Sequence, residues 1–194
     1  MVERLSIPEL IEKSTIDLLQ TKTIDEITVT QIAKNCGITT RTFYNHFRDK
    51  NEVVSTIYTN EMRKHMDCSI PEWYGYMTDF FTSMMPFFEH SLCYAGQNSL
   101  SEAIIALEWE KLIPHIKSEV RNDEAELKKT IIAIEYMLYG NSGSLLNCYV
   151  SKKANYQEKY LMSVYNSTWE WQAENFPPLV LKNLNMELKS TESG

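Results

Sequence analysis

The 194-residue chain is 43% hydrophobic and 23% charged, with a net charge of −7 at pH 7, so it holds enough apolar material for a full core, in one body or in a small domain fused to a larger one. No run approaches the ~20 apolar residues that span a bilayer, and MVERLSIPEL lacks the basic-then-apolar pattern of a secretory signal, so the expected location is the cytoplasm. Cys36, Cys68, Cys93 and Cys148 stand singly with no CxxC pair and are expected to be packing thiols in a reducing compartment; no metal and no cofactor are expected.

The first predicted helix runs from about Pro8 to Leu19, with Pro8 in its first turn and Ile7, Leu10, Ile11, Leu18 and Leu19 facing inward. Ile24, Ile27 and Val29 form an apolar connection. Thr28, three residues before Gln31, makes a capping-box start for a helix reaching about Cys36, with Ile32 and Ala33 on its inner face. Gly37 sits where the chain must reverse within a few residues, which favours tolerance of positive φ. Thr39 or Thr40 then caps a helix whose apolar positions are Phe43 and Phe47. This pair predicts a helix-turn-helix, with small Ala33 at the close crossing and Cys36 and Ile38 in the angle. The exposed face offers Thr40, Arg41, Thr42, Tyr44, Asn45 and His46, side chains that reach phosphates and base edges. Asp49 with Glu52 starts another helix, from Lys50 to about His65, carrying Val53, Val54, Ile57, Tyr58 and Met62, and it is expected to act as a lever between head and body. Lys50, at a helix N-terminus with free backbone N–H groups, is expected to hold a phosphate.

The set Thr28, Ile32, Ala33, Gly37, Ile38, Phe43, Tyr44, Phe47 and Lys50 resembles the DNA-binding signature of the TetR/AcrR family of transcriptional regulators. The resemblance covers roughly the first 60 residues, and beyond them it implies only a helical domain of divergent sequence. Arg41 and Phe43 depart from the small residue and the leucine or isoleucine usual at those positions, which affects the bases read and not the fold. The resemblance implies an all-α, homodimeric, operator-binding repressor, released from double-stranded DNA by a small-molecule effector. Its expected DNA contacts are Thr28, Thr39, Thr40, Arg41, Thr42, Tyr44, Asn45, His46 and Lys50. Residues 1–66 form the expected helix-turn-helix domain and residues 67–194 the helical effector-binding and dimerisation domain. The charge divides accordingly: the first segment holds nine Lys or Arg against nine Asp or Glu, the second ten against seventeen. The acidic surplus lies outside the reading head, where it orients the molecule on DNA or simply aids solubility.

The expected boundary lies at Cys68 to Pro71. A helix rich in aromatic residues and methionine follows, broken or bent near Pro86. Tyr94 to Ser99 reads as a loop, after which Ser99 or Ser101 caps a helix through Trp109 that Pro114 bends or ends. The longest predicted helix spans about Glu124 to Tyr149, with one stripe of Leu127, Ile131, Ile134 and Leu138 and another of Ile132, Tyr136 and Tyr139. A helix apolar on two faces needs two covers, its own core and, in the expected dimer, a second copy. Gly140 and Gly143 suggest a kink or close packing, Gln157 to about Asn175 a further amphipathic helix, and the KSTESG end a disordered tail. Trp73, Met77, Phe80, Met84, Trp109, Tyr136 and Tyr139 are the candidate effector-lining residues, with Glu135 or Asn141 as polar contacts, weighed against their service as plain core. No HExxH, phosphate loop or GxSxG occurs, and Glu108 and Glu110 point to different sides of one helix, so an enzyme is not expected. The remaining alternative is a DNA-bound protein of the same fold that needs no effector.

Overall fold

The computed structural model describes residues 5–119, together with positions 124, 127, 128, 131, 132, 134, 138 and 140. The fold is all-helical, and no strand occurs among the described residues. The helices are α1 (Ile7–Leu19), α2 (Val29–Asn35), α3 (Thr40–Tyr44), α4 (Lys50–Arg63), α5 (Ile70–Ser83), α6 (Met85–Ser91) and α7 (Leu100–Glu119), with a 3-10 turn at Ile24–Glu26 between the first two.

Local chemistry sets most helix starts. Ser6 with Glu9, Thr23 with Glu26 and Thr28 with Gln31 each form a reciprocal capping box, which satisfies N–H groups that have no partner inside the helix. Ser69 with Glu72 and Ser99 with Glu102 repeat the exchange at α5 and α7. Between α5 and α6 the chain breaks at Met84, which has left helical geometry (φ −115°, ψ 32°); Pro86 then sits in the first turn of α6, where its missing N–H is not needed. Of the two outcomes expected at Pro114, a bend or an end of the helix, the end does not occur. The proline lies inside α7, which runs on to Glu119 at the expense of one backbone hydrogen bond.

The chain divides into two compact units, Met1–Lys64 with Ser83–Ile104, and His65–Thr82 with the residues from Ile105 onward. The segment Ser83–Ile104 returns to the N-terminal helices, with α6 against α1. In the first unit Ile11, Leu19, Ile27, Ile32, Phe43, Val53, Tyr58, Met62, Phe87 and Phe88 are all fully buried. Burying one such aliphatic side chain contributes roughly 1.5–3 kcal/mol. Helices as short as α2 and α3 are unstable alone, so this core, more than propensity, holds them. Polar pins add direction: Ser14 Oγ donates to the Ile32 carbonyl at 2.9 Å and accepts from Asn35 Nδ2 at 3.1 Å, tying α1 to α2. His90 Nδ1 meets the Leu19 carbonyl at 2.6 Å, and Tyr58 meets Phe88 edge-on, so α6 is fastened to both α1 and α4.

In the second unit Trp73, Met77, Phe81, Leu107 and Leu112 are buried. Buried Lys111 donates from Nζ to the Met66 carbonyl at 2.8 Å and to that of Cys68, carbonyls of the connector after α4. The His65 and Tyr76 rings stack at 3.9 Å. At the described helical positions farther on, Ile134 and Leu138 are buried, whereas Ile132 is 65% exposed. The expected helix from Gln157, Cys148, Gly143 and the tail lie outside the described residues.

Candidate nucleic-acid interface

Thr28 begins the site. Its hydroxyl accepts the Gln31 N–H at 3.2 Å, and its own N–H donates to Gln31 Oε1 at 2.8 Å, which starts α2. Ile32 and Ala33 point inward, and the helix closes when the Ile38 N–H reaches back to the Ala33 carbonyl at 2.9 Å. Gly37 carries that reversal at φ +73°. A Cβ built there would meet nothing within 4 Å, so the demand for glycine comes from the backbone alone.

Thr39, rather than Thr40, caps α3: its Oγ1 accepts the Thr42 N–H at 3.0 Å, and the two hydroxyls lie 2.9 Å apart. Thr40 is the first helical residue and is exposed. Phe43 is fully buried and Phe47 nearly so, their ring centroids 6.0 Å apart, and together they fix the rotation of α3. Turn bonds from the His46 and Phe47 N–H groups to the Phe43 carbonyl continue the winding past Tyr44. With that face inward, Arg41, Tyr44, Asn45 and His46 are exposed together, and Thr42 is half-buried beside them. Tyr44 shows 58% of its surface. Its ring meets that of Phe43 edge-on at 5.5 Å, and the remaining face and hydroxyl are open to a ligand.

The cations around α3 are not equivalent. Arg41 stands outside any ion pair of the described residues. Arg48 pairs with Glu52 at 3.0 Å, a spacing of four residues that was readable in the sequence. Lys50 opens α4 as expected, but its amine donates to the carbonyls of Ile24 at 2.6 Å, Asp25 at 3.3 Å and Ile27 at 2.7 Å. Each of the three ammonium protons thus has a backbone carbonyl to meet, an arrangement that the expectation of a phosphate-holding amine did not foresee.

The candidate effector residues divide between the two units. Trp73 and Met77 are buried and Phe80 and Trp109 half-buried in the second unit, while half-buried Met84 precedes α6 in the first. Tyr136, Tyr139, Glu135 and Asn141 lie outside the described residues. Among the described residues no cluster of three or more His, Cys, Asp or Glu could hold a metal, and no helix is long and apolar enough to cross a membrane.

Residues 11–57 match the family model of bacterial regulatory proteins, tetR family. The HTH-type dhaKLM operon transcriptional activator DhaS of Lactococcus lactis subsp. lactis (strain IL1403) is 24% identical over 131 residues, which span 64% of this chain and 70% of that protein. The solved structure of a dihydroxyacetone kinase operon activator DhaS matches with a TM-score of 0.54 at 18% identity, covering 84% of this chain and 94% of that one. At that identity the likeness is one of fold. The glycine-turned pair of capped helices lies wholly within the matched residues, so the N-terminal segment 11–57 is a DNA-binding domain of the kind found in bacterial regulatory proteins of the tetR family.

Proposed function

We propose that the chain acts as a homodimer on double-stranded operator DNA, with α3 in the major groove, and that its helical body dimerises and takes a small-molecule effector. The observation that carries the reading is α3 itself, anchored beneath by Phe43 and Phe47 and presenting Arg41, Tyr44, Asn45 and His46 outward. Exposed Ile132, on a stretch whose Ile134 and Leu138 are buried, supports a second apolar face that another copy covers. Buried Trp73 and Met77 and half-buried Phe80 and Trp109, all of the second unit, support an apolar effector site. Action takes place in the cytoplasm, where bacterial chromosomal DNA lies.

Repression is the proposed sign of control, because a head seated on a promoter excludes polymerase without any further contact. The activator name of the relative favours the opposite sign. One experiment separates them: DNA recovered with the purified protein is sequenced, and the enriched site is placed before a reporter. Reporter output that falls when the chain is expressed means repression, and output that rises means activation. No enriched sequence would overturn the DNA reading itself. An effector must bind the DNA-incompetent arrangement more tightly, and by linkage DNA must weaken its binding by the same factor. A compound bound equally with and without operator is eliminated, and a body that binds none would leave a regulator controlled by its abundance.

A further inference from the structure

We propose that Lys50 is a positioning residue of the DNA-reading head, a clamp that locks the carbonyl end of the Ile24–Glu26 turn and thereby sets where α2 begins. A cation at the N-terminus of a helix lies at the wrong end of the helix dipole, so Lys50 in the first turn of α4 is unfavourable unless its charge is engaged elsewhere. The carbonyls of Ile24, Asp25 and Ile27 provide that engagement at 2.6, 3.3 and 2.7 Å. They converge on one point, which suits the three tetrahedral protons of an ammonium and not the planar fork of a guanidinium. Both ends of the clamp are anchored. Ile24 and Ile27 are buried to within 1% of completely, and Asp49 Oδ1 fixes the start of α4 by accepting the Glu52 N–H at 2.8 Å. The residue after Ile27 is Thr28, whose exchange with Gln31 starts α2. Lys50 therefore joins the N-terminus of α4 to that of α2 through a turn 23 to 26 residues earlier in the chain.

The DNA arm of the test rests on the operator-binding reading above; the hydrogen-exchange arm does not. Lys50→Met and Lys50→Arg are compared with the parent by amide exchange and by operator titration at several salt concentrations. The clamp predicts that protection at Gln31, Ile32 and Ala33 falls about tenfold in both variants, the lower range for a charge-assisted bond, while amides in the middle of α4 and α7 exchange as before. It also predicts weaker operator binding at an unchanged salt slope, with no rescue by arginine. A phosphate contact predicts the reverse: unchanged exchange, a Lys50→Met slope lower by roughly 1 per half-site, and rescue by arginine, which binds phosphate at least as well. That pattern overturns the proposal. Protection lost equally throughout the first unit also overturns it, since Lys50 would then be a general stabiliser. If the parent binds no operator while the local exchange change appears, the clamp stands and the DNA reading falls.

Discussion

Asn98 Nδ2 donates to Oδ2 of Asp49 at 3.1 Å, and the other oxygen of that carboxylate caps α4 by accepting the Glu52 N–H. The loop before α7 thus holds the capping group of the helix that follows α3. Ser55 completes the joint by donating from Oγ to the Asn98 carbonyl at 2.9 Å. Asn98 occupies the left-handed region at φ 60°, where asparagine is tolerated far better than most residues.

That joint makes two substitutions at one position separable. Asn98→Gly removes the side-chain bond and relieves the backbone; Asn98→Ala removes the bond and keeps the strain. Asn98→Ala is expected to be less stable than Asn98→Gly by about 1 kcal/mol, the net of left-handed strain and glycine's extra freedom when unfolded. Urea unfolding of both variants measures the difference, and equal midpoints would contradict the left-handed strain at this position.

Thr39 and Thr40 differ in the same way. Thr39→Ala removes the cap of α3 and is expected to cost about 1 kcal/mol of stability; Thr40→Ala, one residue later and exposed, is expected to stay within about 0.5 kcal/mol of the parent. Thermal unfolding without DNA tests this pair, and a larger loss at Thr40 would reassign the cap.

Arg41 is exposed on α3 and outside any ion pair of the described residues, placed to read a base or to hold a phosphate. Arg41→Ala is expected to cost roughly 1–3 kcal/mol at one base position and relax the preference there. Binding to an operator library at two salt concentrations distinguishes the cases. Unchanged base preferences with a flatter salt dependence would make Arg41 a phosphate contact and leave Tyr44 and Asn45 as the readers.

Two sets of carboxylates give opposite pH dependences. The hydroxyls and then the backbone N–H groups of Ser6 and Ser69 hold Glu9 and Glu72 below the usual range, and the Thr23 N–H and then its hydroxyl do the same for Glu26. These groups favour folding when ionised, so their contribution is present above the unfolded pKa and is lost as pH falls through the lower folded value. Burial, and then the charge of Glu9, push Glu12 upward against a smaller opposing pull from Lys64. Its contribution is complete below the unfolded pKa and is lost as pH rises through the raised folded value. Glu12→Gln should therefore raise the unfolding midpoint at neutral pH and change little in acid, whereas Gln at positions 9, 26 and 72 together should flatten the acid limb. Thermal scans across the carboxylate range check both signs.

Ile132 and Ile134 lie two positions apart with opposite exposure, 65% against 4%. Ile132→Asp is expected to give a folded monomer with weakened operator binding, and Ile134→Asp an unstable chain, because a buried unpaired charge is expelled from a core. Sedimentation and circular dichroism report the two outcomes, and a parent that is monomeric while binding an intact operator would end the dimer reading.

What could be read from the sequence was local. Thr28 with Gln31, Asp49 with Glu52 and the break near Pro86 depend on residues a few positions apart, and Gly37 announces its φ by its type. What could not be read was decided by distant partners. Lys50 looks the same whether it meets a phosphate or three carbonyls some 25 residues earlier, and Ser14 and Thr15 look like surface residues of α1 although both are buried. Met84 shares the aromatic-rich stretch of Trp73, yet belongs to the other unit because the chain turns back at the α5–α6 break. Pro114 stays inside α7, where the helix core around Leu112 outweighs one missing bond.

The membership of Ser83–Ile104 in the first unit bears on any attempt to graft this head onto another body. A chimera joined near residue 66 would transplant α1 to α4 without Phe87, Phe88 and Leu92, leaving Tyr58 without its ring partner and Leu19 without the imidazole that meets its carbonyl. A working exchange has to carry two separated pieces, with junctions after Lys64, before Ser83 and after Ile104. A single junction near residue 66 would part the head from the α6 segment that packs behind it.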